Sequence, residues 1–535
     1  MLVLGIHKDP WHDTGACAIR FIDGKTEIAY IAEERLDRVK DSRHFPANST
    51  RAVLEAVGAS SVDDCDLVVM DYIINKKNWR LDQYRKPCST ANYLSDLSER
   101  KIRVINHHLA HAYAVYFSSN FRKAAILVVD GRGSEKETQS LFLADGNEIR
   151  LIDKTDCIGI GLLYSAVTHA IGFGLLQEGK TMGLAPYGEE LSLKESIFTF
   201  SGSFSGIKTD YSSFCESDSY KIKNKYKEID SFERKALAAF EVQKECERAM
   251  LHLAKWAKEK TGADYLCISG GVGLNSVSNN LVIKSGLFKD VFINPAASDT
   301  GIPLGAALWG YHSELGMGKD YELISPYLGP LYSDERIERA ISVFDGYNIV
   351  RKDAFNQAVN LLANNKIVAR FEGRSEMGPR ALGHRSILMS PLKAENKDIL
   401  NKRVKFRESF RPFAPAILEE RASEFFEIDR PSPYMLQIPK VTNKGKKLTP
   451  ATTHVDGTAR LQTVTKERNG DFYNLIEKFG ELTGVPVLLN TSFNIADEPV
   501  VETPEDAIKC FLLTSIDALL IEDVLLIKNS IDQEN

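Results

Sequence analysis

His107 and His111 stand four residues apart in Asn106-His107-His108-Leu109-Ala110-His111, a spacing that puts two imidazoles on one face of a helix. Such a pair can grip one metal ion, but it is also an ordinary helix feature, so further donors must decide. Residues 124–129 read as an apolar strand that delivers Asp130 into the turn Asp130-Gly131-Arg132-Gly133. A second strand, over 291–294, leads towards Asp299-Thr300-Gly301. His107, His111, Asp130 and Asp299 together make a mixed nitrogen and oxygen set that suits Fe(II), Mn or Zn and leaves room for a ligand. His108 lies ~100° around the helix from His107 and is not expected to be a ligand.

Three other groups of residues carry chemical potential. The turns at Asp130-Gly131-Arg132-Gly133, Gly270-Gly271-Val272-Gly273 and Gly301 follow strands, and their backbone N–H groups could approach phosphate or adenosine. Any one of them is a weak signal; three in one half of the chain is a stronger one. His12 beside Asp13, in the turn after the first strand, reads equally as a general base oriented by a carboxylate or as a solvated turn histidine. In the second half, Arg374, Arg380, Arg385, Lys402, Arg403, Lys405, Arg407 and Arg411 interleave with Gly, Pro and Phe. That pattern lacks a helical charge period and reads as a pocket for a polyanion, where arginines fork onto phosphate oxygens and Lys405 adds a point charge.

The elements that must hold these residues alternate strands and helices. Strands are predicted at 2–6, 16–21, 26–33, 67–71, 124–130, 265–269 and 291–294, with a hairpin over 139–153. Helices are predicted near 49–58, 106–118, 162–172, 233–260 and 302–314, and 178–184 reads as a glycine-punctuated loop. Segments 74–102 and 201–231, polar and bearing Tyr and Lys, read as insertions. The stretch 315–352 reads as a connector. Beyond it come a strand at 367–371, another at 485–489 running into Asn490, a helix near 504–513 and a final strand over 517–527. No internal repeat is visible.

The 535 residues imply several domains, and 43% hydrophobic with 26% charged residues is a soluble globular composition. A net charge of −6, with no basic stripe interleaved with aromatic residues, disfavours nucleic acid as a partner. Eight scattered cysteines without a C-x-x-C pair read as reduced thiols. The chain starts on a strand, without a signal peptide, and no apolar run approaches ~18 residues. Together these predict a cytoplasmic protein with no membrane span.

With these residues assembled, the whole chain resembles the antibiotic and nodulation-factor O-carbamoyltransferases, the NodU/CmcH family. The resemblance runs in order through Glu33-Glu34-Arg35, His107-His108-Leu109-Ala110-His111-Ala112, Glu178-Gly179-Lys180-Thr181-Met182-Gly183-Leu184 and Gly270-Gly271-Val272-Gly273-Leu274-Asn275. It continues through Gly378-Pro379-Arg380-Ala381-Leu382-Gly383-His384-Arg385-Ser386, Phe410-Arg411-Pro412-Phe413-Ala414-Pro415 and Leu489-Asn490-Thr491-Ser492-Phe493-Asn494.

The resemblance implies an α/β protein of two parts. Residues 1–330 would be an actin/Hsp70-like ATPase-fold domain, similar to threonylcarbamoyl transferases, and 331–352 the connector. Residues 353–535 would be a YrdC-like domain that makes carbamoyl adenylate from carbamoyl phosphate and ATP, with Mg as the nucleotide's companion. In that scheme Arg380, Lys405, Arg411, Arg460, Asn490 and Ser492 hold phosphates. Lys180, Gly131, Gly270, Gly271 and Asn275 bind nucleotide. His107, His111, Asp130 and Asp299 bind Fe(II) or a similar ion, and His12 deprotonates a small hydroxyl-bearing acceptor. The family's usual Lys-His after Glu-Glu-Arg is here Lys40-Asp41, which leaves the acceptor open. A homodimer is one assembly compatible with the chain. The competing expectations are a threonylcarbamoyl-type transferase acting on tRNA, and a nucleotide and metal sensor without catalysis.

Overall fold

Five strands, β1 (Leu2–His7), β2 (Gly15–Ile22), β3 (Lys25–Ala32), β4 (Leu67–Asp71) and β5 (Ile102–Ile105), form a sheet ordered β3-β2-β1-β4-β5. β1, β2 and β3 pair antiparallel, while β1, β4 and β5 run parallel. A second sheet contains β6 (Lys123–Val129), β7 (Gln139–Asp145) and β8 (Glu148–Thr155). After a separate hairpin of β9 (Phe200–Ser203) and β10 (Gly206–Thr209), that sheet is completed by β11 (Tyr265–Ser269) and β12 (Asp290–Ile293). Read from its β8 edge, its order β8-β7-β6-β11-β12 repeats both the order and the pairing directions of the first sheet. The repeat lies in topology, because the two sheets share no visible sequence period. β1 and β6 are apolar and almost wholly buried, as central strands covered on both faces must be.

The described residues are 1–8, 12–71, 101–156, 159–191, 200–203, 206–209, 230–320 and 323–529 of a computed structural model. They form two units: Met1–Glu33 with Asp41–Ile324, and Glu34–Lys40 with Ser325–Asn535. Segment 74–102, apart from its last two residues, and most of 201–231 lie outside the described residues. No helix among the described residues is long and apolar enough to cross a membrane. Cys65, Cys246, Cys267 and Cys510 are buried thiols that burial pushes up to about 12.

In the first unit the helix His107–Ser118 is capped by Asn106, whose side chain accepts from Leu109 N. Lys319, buried beside the other end, donates to Tyr116 O and Ser119 O at 2.7 and 2.8 Å, a cation placed where a helix leaves carbonyls unpaired. The small-residue helix Ile302–Trp309 lies against it. A Cβ at Gly305 would collide with the backbone carbonyl of Ala110, one residue before His111. Residues 178–184, expected as a loop, form the helix Glu178–Leu184. Its buried Thr181, Met182 and Leu184 supply enough anchoring to outweigh two glycines, a tertiary override of weak local propensity.

The second unit is built on an eight-stranded mixed sheet. Its strands are β13 (Tyr347–Val350), β14 (Val368–Phe371), β15 (Arg385–Met389), β16 (Ala414–Leu418), β17 (Gln462–Val464), β18 (Val487–Ser492), β19 (Ala518–Ile521) and β20 (Val524–Lys528). They are ordered β13-β20-β19-β14-β15-β18-β16-β17. Alternate residues feed two cores: Ala369, Ile387, Leu489 and Leu519 on one face, Val368, Leu388, Leu488 and Leu520 on the other, as the two-residue period of a strand requires. Two sequence readings change here. The single strand over 517–527 is a hairpin that turns through Glu522 in a left-handed conformation (φ +45°). The connector 331–352 holds the helix Asp334–Val343, capped by Ser333, and the edge strand β13. The Gly and Pro residues before it favour a connector, but Ile337, Ala340 and Ile341 form a buried helical stripe.

Replacing Gly305 with Ala should lower the melting temperature, by an overpacking cost of about 1–3 kcal/mol, because a backbone carbonyl cannot rotate away as a side chain can. Thermal denaturation of the purified variant checks this; an unchanged midpoint would mean the two helices part freely.

Candidate functional site

Strand ends converge on one buried point in the first unit. Asp130 follows β6, and Asp299 opens the short turn Asp299–Gly301 that feeds Ile302–Trp309, six residues beyond β12. His107 Nε2 lies 3.2 Å from Asp130 Oδ2 and 3.4 Å from Asp299 Oδ1. His111 Nε2 lies 3.4 Å from the same two oxygens. The donor atoms of all four residues fall within 4.8 Å of one another. Nε2 of His111 is buried and makes no hydrogen bond, so it points at the shared centre. Two imidazoles and two carboxylates aimed at one point fit a divalent ion with borderline preferences.

Electrostatics at this point are severe. Burial works against the charged form of His107, but Asp71, Asp299 and Asp130 outweigh it and hold the ring well above its ordinary value. Burial also opposes charge on His111, and the two carboxylates raise it nonetheless. Asp130 and Asp299 are each disfavoured as anions by burial, and Asp130 further by its neighbour. Contacts with the histidines reverse the balance and keep both well below the usual carboxylate range. His108 behaves oppositely: burial depresses it, and its Nδ1 meets Ser140 Oγ at 2.8 Å, away from the group.

Two residues that sequence reasoning did not single out complete the site. His107 Nδ1 sits 2.7 Å from Asp71 Oδ2, and His7 Nδ1 lies 3.1 Å from the same oxygen. Asp71 ends β4 and His7 ends β1, so both sit at the carboxyl edge of parallel strands, where chemistry gathers in such sheets. Their position on strands already recognisable in the sequence was the signal. A carboxylate on the far nitrogen of a ligating histidine fixes its tautomer and ring orientation.

The second unit carries an unusual concentration of positive charge. Arg380, Arg407, Arg411 and Arg460 are half-buried and near enough for their charges to act on one another. Burial lowers Arg380 to about 10 and Arg407 to about 9, with neighbouring arginines adding to the effect. Arg460 is pushed further down by burial and then by Arg380, Arg407 and Arg411. Arg411 has Glu408 at 3.7 Å, and Arg407 lies over the Phe413 ring. Arg380 and Arg460 have no ion-pair partner among the described residues, and the Nε of each is buried without a hydrogen bond.

Two family models, Carbamoyltransferase N-terminus and Carbamoyltransferase C-terminus, match residues 72–308 and 359–528. The nodulation protein NolNO of Sinorhizobium fredii is 34% identical over 552 residues, covering 98% of this chain and 80% of that protein. NolO of Bradyrhizobium diazoefficiens is 37% identical and covers 79% of each chain. The chain belongs to the carbamoyltransferase family. An uncharacterized Synechocystis protein aligns over 99% of this chain and 97% of its own length at 33% identity. Among solved structures, full-length HypF in its phosphate- and nucleotide-bound form aligns over 57% of this chain and 54% of its own at 14% identity, with a TM-score of 0.36, too slight a likeness to argue from.

This carbamoyltransferase places the remaining expected residues as follows. His12 Nδ1 lies 3.4 Å from Asp13 and 3.9 Å from Asp299 Oδ2, so it borders the four-residue group. Gly271 N donates to Asp130 Oδ1 at 2.9 Å, and a Cβ at Gly270 would strike the Val129 backbone. These two glycines therefore let β11 turn close enough to grip Asp130. Asn275 caps the helix Ser276–Lys284 and pairs with Gln243. Gly131 lies beside Gly161, where a Cβ would strike Asp130 O. Lys180 sits on the helix Glu178–Leu184, 5.7 Å over Phe173.

In the second unit Lys405 Nζ is surrounded by Ser492 O, Ser492 Oγ, Asn494 O and Asn494 Oδ1, all within 3.3 Å. Asn490 is buried and donates to Gln462 Oε1 and Ala381 O. Ser492 donates to Asn494 Oδ1. The basic run also divides. Arg374 binds the carbonyls of Leu328 and Gly329, Arg385 those of Glu372 and Gly373, and Arg403 binds Ser515 O. These three cross-link the fold, and the facing arginines are a smaller set than the sequence suggested.

Asp130→Ala should abolish tight binding of a divalent ion, and Asp71→Asn should weaken it by roughly 10–100-fold without abolishing it. Metal content after dialysis against a graded chelator reads both. Equal retention by Asp71→Asn and the native protein would remove Asp71 from the site.

Proposed function

We propose that this carbamoyltransferase works in two steps, in line with the expectation from its motifs. The second unit, read as YrdC-like, makes carbamoyl adenylate. Water releases carbamate and phosphate from carbamoyl phosphate, the carbamate oxygen attacks the α-phosphorus of ATP, and the bond to the β-phosphate breaks to free pyrophosphate. The first unit, read as actin/Hsp70-like, passes the carbamoyl group to a hydroxyl of a small acceptor, an antibiotic, sugar or modified nucleotide. AMP leaves with the bridging oxygen. The duplicated 3-2-1-4-5 strand order supports the fold reading of the first unit.

The observation that carries the first step is the gathering of half-buried Arg380, Arg407, Arg411 and Arg460, of which only Arg411 has a carboxylate, Glu408, at ion-pair distance among the described residues. Charges that repel one another in a low-dielectric recess are costly until a polyanion arrives. Phosphoanhydride chemistry asks mainly for such preplaced positive charge. Arg380 and Arg460, which make no ion pair among the described residues, turn their guanidinium groups to the phosphates. Lys405 and Asn490 act one layer out, fixing the ends of β18 and the Ala381 turn.

For the second step, His107, His111, Asp130 and Asp299 would hold iron(II) or a similar ion, which when bound supplies Lewis-acid polarisation of the mixed anhydride. Asp71 keeps the His107 ring in place. His12, 3.9 Å from Asp299, takes the proton from the acceptor hydroxyl as that oxygen forms its bond to the carbamoyl carbon.

Arg411→Ala should cut carbamoyl-phosphate-dependent pyrophosphate release by about 30-fold or more, since truncating one side of a desolvated charge contact typically costs about 2–5 kcal/mol. His12→Ala should leave pyrophosphate release near the native rate while slowing transfer by about 10²–10⁴-fold. A labelled carbamoyl phosphate assay over a panel of hydroxyl acceptors reads both steps. Native pyrophosphate release by Arg411→Ala would overturn the first assignment, and native transfer by His12→Ala the second.

A further inference from the structure

Of the matching motifs, Glu33-Glu34-Arg35 has no part in the two steps above. Its residues separate sharply. The Glu33 carboxylate accepts from the backbone and side chains of Asn48 and Ser49 at the start of the helix Ala47–Ala56, within the first unit. Glu34–Lys40 belongs to the second unit, although it lies some three hundred residues earlier in the chain than the rest of that unit.

Arg35 is 5% exposed. Its Nη2 donates to Gly378 O at 3.1 Å, two residues before Arg380, and its Nη1 lies 4.0 Å from Glu502 Oε2. Glu502 is fully buried and is shared with Arg385 at 3.9 Å and with the Tyr332 hydroxyl at 3.3 Å. Arg38 donates to Val500 O and Pro499 O at 2.7 and 2.9 Å. That is the far end of the Ser492–Glu498 loop, which wraps Lys405.

Among the described residues the Arg380 side chain has no hydrogen-bond partner, so its backbone must aim it. That backbone is a tight turn with Gly378 at φ +81°. On the C-terminal side it is pinned by Glu376, whose Oε1 accepts from Leu382 N, His384 N and Arg385 N. On the N-terminal side the side-chain donor recorded at Gly378 is Arg35. We propose that Arg35 is a positioning residue for adenylate formation, holding the Gly378-Pro379-Arg380 turn so that Arg380 meets the phosphates, with Arg38 bracing the opposite loop. The anion site of the second unit is then incomplete without a segment from the first forty residues. This rests on the reading of Arg380 as a phosphate ligand.

The test is a double-mutant cycle on carbamoyl-phosphate-dependent pyrophosphate release by the full chain, using Arg35→Gln, Arg380→Lys and the combination. Arg35→Gln should slow release by roughly ten- to a hundredfold, the cost of a small misplacement of a reacting group. In the Arg380→Lys background the same substitution should cost little, because a group that acts through Arg380 has nothing left to aim. Arg35→Lys, which keeps a donor towards Gly378, should recover much of the rate. Fully additive losses, or a native rate in Arg35→Gln, would overturn the proposal. If Arg380→Lys alone releases pyrophosphate at the native rate, it is the phosphate role of Arg380 that fails. Should Arg35→Gln not fold, the cycle is run with Arg35→Lys, whose smaller residual loss must vanish in the Arg380→Lys background; a residual loss unchanged there would overturn the proposal.

Discussion

Buried charge that the protein does not fully neutralise is the constraint on which this structure turns. Asp130 and Asp299 share one buried point with two imidazoles, and four half-buried arginines crowd one another elsewhere. Left to relax, such groups would move apart or reach water, since each uncompensated buried charge costs several kcal/mol. They stay because their backbones are parts of rigid elements. Asp130 is fixed by the end of β6 and by the Gly271 amide, and the histidines by a helix whose distance from its neighbour is set by a glycine. The arginine-bearing turn is fixed by Glu376, Gln462 and Tyr327 through the backbone around Leu382.

That division of labour explains why so many prominent basic residues do not join the arginine cluster. Arg370, Arg374 and Arg385 point into backbone carbonyls and aromatic faces. Lys405 spends its ammonium on four oxygens. These cations hold loops in place, and a planar guanidinium is suited to this because it binds two carbonyls at once. Arg380 and Arg460, which make no ion pair among the described residues, are the ones proposed to meet the phosphates.

The first unit shows the same logic in its glycines. A turn rich in glycine suggests an approach to phosphate, and at Gly270 and Gly271 the neighbouring strand and the Asp130 carboxylate also come close. Close packing of protein on protein and of protein on ligand make the same demand on sequence, the absence of a Cβ. Only coordinates tell which surface comes near. The duplicated sheet order carries a related lesson, since two sheets can repeat a topology while their side chains diverge entirely.

The sequence by itself determined the local features of this protein. It placed the helix of His107 and His111, the strands that deliver Asp130 and Asp299, the long helix ending at Gly262, and the motifs of a carbamoyltransferase. Each of these depends on short-range periodicity, capping or motif order, which one dimension records. Tertiary structure alone decided the rest. It brought His7 and Asp71 behind His107, sorted the arginines into those with partners and those without, made 178–184 a helix, and carried Glu34–Lys40 into a unit otherwise built from the far half of the chain. Those outcomes depend on contacts between residues tens to hundreds of positions apart. A buried side chain's role is set by what faces it, and no spacing along the chain encodes that.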